Sequence, residues 1–167
     1  SLFQPNIKMV VGIPSGSTEV EKRAVRDSSE HAGGRDLYLI YEPMAAAVGI
    51  GLDVQAARGN MIVDIGGGTT EIAVISLGGI VVQDSIKVAG DVITGDIMQF
   101  MRQQHNIKVG EGTAEQIKIR VGSVLTKLEE EPEPMKVNGP NLMTAHPVEA
   151  TVTYQEIATC LDKSIAR

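Results

Sequence analysis

Apolar and polar positions alternate along the chain in two different rhythms. Ile7-Lys-Met-Val-Val-Gly-Ile13 is a short apolar run closed by Pro14, the pattern of a buried strand. Thr18 and Glu21 stand three apart and predict a capping box, with Val20, Ala24 and Val25 forming an apolar stripe on a helix that stops at Gly33. Leu37-Tyr-Leu-Ile40 reads as a second strand. Pro43 sits where a helix favours its first residue and opens a helix over Met44-Ala-Ala-Ala-Val48. Residues 7 to 50 thus spell strand, helix, strand, helix.

Beyond a looser stretch at 53–59 the rhythm changes to three strands in quick succession, at 61–65, 69–76 and 80–88. Their tight connections, Gly66-Gly-Gly68 and Leu77-Gly-Gly79, predict antiparallel neighbours. From Asp91 to Gln104, Ile93, Ile97, Phe100 and Met101 recur at helical spacing. Gly110-Glu-Gly112 breaks the pattern, and Thr113 with Gln116 predicts a second capping box over Ala114, Ile117 and Val121. The acidic, proline-bearing Glu129-Glu-Glu-Pro-Glu-Pro134 predicts an exposed loop. Short strands follow at 135–137 and 148–153. Thr153 with Glu156 then caps a helix that carries Ile157, Leu161 and Ile165 on one face. The whole reads as an α/β protein with a mixed sheet. It is either one compact domain or pieces of two joined at 53–59.

Composition narrows the function more than the fold. The 167 residues match one typical domain, and 43% hydrophobic with 22% charged residues is ordinary for a globular chain. A net charge of −6 without clustered Lys and Arg argues against a nucleic-acid surface, so an anionic partner must be gripped locally. The single cysteine, Cys160, excludes a disulfide within the chain, and a reducing compartment is the simplest reading. No apolar stretch approaches the ~20 residues that span a bilayer. The chain opens on Ser1 and stops inside a helical pattern, which predicts a piece of something longer.

The candidate chemistry centres on Ile62-Val-Asp-Ile-Gly-Gly-Gly-Thr-Thr-Glu71. A glycine triplet costs chain entropy and buries no side chain, and a simple hairpin is made more cheaply by Asn-Gly. Asp64 ends a strand just before the triplet. Amides of Gly66, Gly67 and Gly68 can donate to phosphate oxygens, Thr69 and Thr70 can add hydroxyls, and Asp64 can hold the waters of a magnesium ion. Without a following Gly-Lys-Ser/Thr this is a hairpin clamp and not a Walker loop; the competing reading is a plain turn. Glu42, between a strand end and a helix of small residues, can position a water for attack on a terminal phosphate or merely satisfy the helix dipole. Glu115 and Lys118 lie three apart on one helix face. They can bond ribose hydroxyls or form a surface pair. His31, His105 and His146 show no ligand spacing.

Val10-Val-Gly-Ile-Pro-Ser-Gly16, Glu42-Pro-Met-Ala-Ala-Ala47, Asp64-Ile-Gly-Gly-Gly-Thr-Thr70, Ser76-Leu-Gly-Gly79 and Thr113-Ala-Glu-Gln-Ile-Lys118, in this order, resemble the MreB family of rod-shape-determining bacterial actins. The glycine string alone also fits the wider actin and heat-shock chaperone superfamily. The resemblance implies an actin-like ATPase, ribonuclease H-like fold, with parts of both lobes present. Residues 1–52 would belong to the large subdomain of the first lobe, 53–90 and 154–167 to the large subdomain of the second, and 91–153 to its small subdomain. It also implies ATP and Mg2+ as cofactors, self-assembly into filaments, and a cytoplasmic place on the inner membrane of a bacterium beside the wall-synthesis and division machinery.

Residue by residue, the resemblance makes Asp64 the magnesium-associated aspartate, acting through water, and Glu42 the residue that orients the hydrolytic water. Gly66, Gly67, Gly68 and Thr69 become the phosphate loop, Glu115 and Lys118 the nucleoside pair, with Gly90 and Asp91 also near the nucleotide. Leu2-Phe3 resembles the family's apolar membrane-insertion loop. Two departures stand out: the family's opening Asp-x-Gly-x hairpin and closing Thr-Gly-Gly-Gly loop do not occur, and Val92-Ile-Thr-Gly95 stands where relatives carry acidic residues. The chain alone is therefore expected to bind nucleotide weakly and not to hydrolyse it at the family's rate. A chaperone-type ATPase of the same fold and a nucleotide-free scaffold are the alternatives.

Overall fold

A computed structural model describes residues 7–166, so the proposed membrane loop at Leu2 and Phe3 lies outside the described residues. The chain divides between Lys87 and Val88 into two compact units.

The first unit runs β1 (Ile7–Ile13), α1 (Glu19–His31), β2 (Gly34–Tyr41), α2 (Glu42–Gly49), β3 (Asn60–Ile65), β4 (Thr70–Ser76) and β5 (Gly79–Ile86). β1 and β2 pair in parallel, with Ile13 opposite Tyr41, so both strands release the chain at the same edge. The Thr18–Glu21 capping box forms as expected: the Thr18 amide donates to Glu21 Oε2 at 2.7 Å, and the Glu21 amide to Thr18 Oγ1. β3, β4 and β5 make a separate antiparallel sheet in chain order, so parallel and antiparallel pairing occupy different sheets. The β4–β5 turn puts Leu77 at φ 52° and Gly78 at φ 75°, the doubly left-handed geometry of a type I′ hairpin. Ala47 of α2, fully buried, packs with Ile62 and Ile75; the small side chain brings the helix close to the sheet.

Two expectations for this unit fail. β1 was expected as a buried strand, yet of its seven residues only Ile13 is buried, and Val10 is 69% exposed. The amphipathic stripe of α1 likewise buries nothing, and Val20 is 79% exposed. The reason is common to both: among the described residues β1 has one neighbouring strand, and a two-stranded sheet leaves most of its apolar surface uncovered.

The second unit runs α3 (Gly90–Gln104), α4 (Glu111–Val121), β6 (Met135–Pro140), β7 (Pro147–Val152) and α5 (Tyr154–Ile165). Its core draws on every element, with Ile97 and Met101 from α3, Ile117 and Val121 from α4, Val137 and Val152 from the hairpin, and Ile157 and Leu161 from α5. Each such side chain contributes about 1.5–3 kcal/mol on burial. The Thr153–Glu156 capping box forms. The one expected at Thr113 and Gln116 does not. The helix begins earlier, capped by Gly110, so Gly112 and Thr113 lie inside its first turn and the amides of Thr113 and Ala114 both donate to the Gly110 carbonyl. Glu111 in that turn complements the helix dipole instead. The acidic segment before β6 is irregular as expected, and Glu131 accepts a 2.6 Å hydrogen bond from the Tyr154 hydroxyl. No helix among the described residues is long and apolar enough to cross a membrane.

Candidate functional site

In the first unit the site is made by strand parity. Asp64 on β3 stands directly opposite Glu71 on β4, so both carboxylates project from one sheet face. That face also carries the buried Ala73, and Ile62 and Ile75, which pack with Ala47 of α2. Two like charges in register on the covered side of a sheet oppose folding, and such violations mark functional positions. Glu42 approaches from the first residue of α2. Its carboxyl is held above the ordinary carboxylate range, first by burial and then by the negative charges of Glu71 and Asp64. A Cβ on Gly12 of β1 would sit 3.4 Å from Glu42 Cγ, so the Glu42 side chain lies beside the end of β1.

The turn after Asp64 is exposed at Gly66, Gly67 and Gly68. The Gly66 amide donates to the Thr69 carbonyl at 2.9 Å and closes the hairpin. Glycines with positive φ occur at Gly33, Gly51 and Gly78, and none of the triplet is among them. No positive φ therefore calls for glycine at the triplet, although a Cβ on Gly66 would crowd the Thr69 carbonyl oxygen at 3.3 Å. A bare, exposed main chain beside a carboxylate leaves room for close approach of an anion.

Sequence reasoning missed the residue that binds this corner together. Glu71 is 1% exposed, and Ser15, just past β1, donates to it from its amide at 3.0 Å and from its hydroxyl at 2.9 Å. Gln83 of β5 donates from Nε2 to the Ser15 carbonyl at 3.1 Å. The available signal was Glu71's parity with Ala73 and Ile75, since a charge on the apolar face of a strand is rare without a partner. Among the described residues no group of three or more His, Cys, Asp or Glu could ligate a metal directly. A magnesium ion fits this corner only with its waters retained between it and the carboxylates.

The remaining predicted residues belong to the second unit. Glu115 and Lys118 form a 2.6 Å ion pair on α4. Thr94, buried on α3, donates from Oγ1 to Glu115 at 2.9 Å or to the Gly90 carbonyl at 2.9 Å, and Lys118 Nζ donates to Thr94 and to Gly90. The bonds from Lys118 and then Thr94 hold the Glu115 carboxyl below its usual range. Thr94 was also missed; its signal was the departure at Val92–Gly95. Asp91 lies exposed in the first turn of α3. A groove of about 730 Å³ between α3 and α5, lined by Asp96, Phe100, Cys160 and Ser164, contains none of the predicted residues. There Ser164 donates to Asp96, and burial followed by the Asp96 charge pushes the Cys160 thiol up to about 11.

Comparison with known proteins shows the family. The model of the MreB/Mbl protein family matches residues 1–167. The cell shape-determining protein MreB of Escherichia coli K12 is 42% identical over 165 residues, 99% of this chain and 47% of that protein. The cell shape-determining protein Mbl of Bacillus subtilis is 39% identical over 159 residues, 95% of this chain and 47% of that protein. MreB5 of Spiroplasma citri, solved with AMPPNP, superposes with a TM-score of 0.89 at 36% identity over 96% of this chain and 48% of its own. A MamK double helical filament, at 18% identity and a TM-score of 0.69, shares the actin-like fold. The chain spans about half the length of the curated relatives it matches. Matched from end to end by the family model, the chain belongs to the MreB/Mbl protein family.

Proposed function

We propose that the full-length protein carrying this chain is an ATP-binding bacterial actin homologue that polymerises into membrane-associated filaments and directs cell shape and wall synthesis. The observation that carries the reading is the exposed glycine turn beside Asp64, none of whose three glycines has a positive φ. The S. citri relatives support it, having been solved with AMPPNP and with ADP. The names of the E. coli and B. subtilis relatives support the role in cell shape.

In this reading the amides of Gly66, Gly67 and Gly68, with the Thr69 hydroxyl, take the β- and γ-phosphate oxygens; in the second unit, the family resemblance makes Glu115 and Lys118, with Gly90 and Asp91, nucleoside-binding residues. Asp64 would hold Mg2+ through water, a group that would supply charge neutralisation at the phosphates. Glu42 orients the attacking water, and its raised pKa makes it a stronger base toward that water's proton than an ordinary carboxylate. The filament would sit at the inner membrane, with Leu2 and Phe3 multiplied by avidity along it.

Electron microscopy of the full-length protein with magnesium and ATP tests the reading. Paired protofilaments that disappear in Asp64→Ala are expected. Persistent monomers in the parent would contradict it and favour a chaperone-type cycle.

A further inference from the structure

Glu71 has no role in the reading above, yet it is the most deeply buried carboxylate of the first unit and sits next to the reacting groups. Burying a carboxylate is costly unless hydrogen bonds replace its water, and here the donors come from one residue, Ser15. Ser15 is itself buried and gripped at both ends of its peptide, by Glu71 of β4 at the amide and by Gln83 of β5 at the carbonyl. Four hydrogen bonds thus converge on one residue. They join the turn after β1 to the sheet that carries Asp64.

That join bears on Glu42 through the strand register. β1 ends at Ile13 opposite Tyr41, the last residue of β2, and Glu42 follows immediately. The Glu42 side chain lies beside Gly12, where an added Cβ would come within 3.4 Å of its Cγ. Whatever fixes the end of β1 against β4 therefore fixes Glu42 against Asp64, which stands opposite Glu71 on β3. We infer that Glu71 is a positioning residue: through Ser15 it clamps the β1 turn onto the antiparallel sheet and so sets the placement of Glu42 relative to the glycine turn for nucleotide hydrolysis. This rests on the nucleotide-binding reading of the same corner. Glu71 need not touch nucleotide; it acts by holding two elements in register, and reaction rates fall steeply when a catalytic group is displaced by even an ångström.

The full-length protein is the material for the test, with ATP affinity, hydrolysis rate and amide exchange of residues 12–17 measured separately. In Glu71→Ala, kcat should fall about tenfold while nucleotide affinity changes less than about threefold, the pattern of a displaced catalytic group. Exchange at 12–17 should quicken even without nucleotide. Glu71→Gln, which still accepts from the Ser15 amide, should restore rate and protection to within about threefold of the parent. Glu42→Ala combined with Glu71→Ala should be no slower than Glu42→Ala alone, since a positioning residue has nothing left to position. If Glu71→Ala does not fold, Ser15→Ala decides, with a smaller drop in kcat at unchanged affinity expected and an unchanged rate overturning the inference. Affinity and rate lost in equal measure would make Glu71 a binding or purely structural residue and would also overturn it. A parent that binds no nucleotide would sink the underlying reading and this role with it. A parent that hydrolyses ATP alongside an equally active Glu71→Ala sinks the clamp alone.

Discussion

Leu77 shows how a single residue pays for topology. The turn between β4 and β5 needs two left-handed residues to match the strand twist, and glycine fills only the second. A leucine at φ 52° carries a Cβ that crowds its own carbonyl, a strain of about 1–2 kcal/mol, and its side chain is 70% exposed, so it recovers little by burial. Leu77→Asn should therefore raise stability by about 1 kcal/mol, read as a higher urea midpoint. A lower midpoint would show that Leu77 is packed in solution. Cys160 gives a second residue-scale expectation. Its thiol is pushed from 9.0 to about 11, so iodoacetamide should alkylate the native chain at half its maximal rate only near that pH, and the urea-unfolded chain near 9.0. Because the folded value is the higher one, the neutral thiol's contribution to stability is complete below 9.0 and is lost as pH rises toward 11. Equal rates in both states would contradict the burial.

Elements were legible where their signals are local. The capping boxes at Thr18–Glu21 and Thr153–Glu156 use side chains three residues apart and need nothing from the rest of the chain. The same pattern at Thr113–Gln116 misled because Gly110 takes the extended cap conformation and starts the helix sooner. Asp64 and Glu42 were legible as carboxylates at strand ends, whereas Ser15, 56 positions from Glu71, could not be paired with it by any spacing rule. Burial of β1 and α1 was misjudged for a related reason: an apolar pattern tells which face wants cover, not whether cover is present. α4 illustrates the opposite case, with Ala114, Ile117 and Val121 all buried as their spacing suggested. Ile117→Ala should cost about 2–5 kcal/mol in the second unit, measured by denaturant unfolding. A cost under about 1 kcal/mol would mean the core relaxes around the cavity.

At the scale of the whole molecule the two units differ in how much they bury. The second gathers twelve buried residues, ten from its five elements and two, Ile107 and Val109, from the segment between α3 and α4. The first has a cluster of three, Ala47, Ile62 and Ile75, and leaves Met61, Val63 and Ile65 exposed along one face of β3. Residues 88–167 expressed alone should thus unfold in one cooperative urea transition, and residues 1–87 alone should not. The reverse outcome would show that the stability lies elsewhere. The central claim concerns the first unit: the bare main chain after Asp64 is built to hold nucleotide phosphate with a hydrated magnesium beside it. Titration of the full-length protein with a fluorescent ATP analogue, with and without magnesium, tests this most directly. Saturable, magnesium-dependent binding that weakens at least about tenfold in Asp64→Ala is the result expected. No saturable binding in the parent, or binding unchanged by Asp64→Ala, would contradict it.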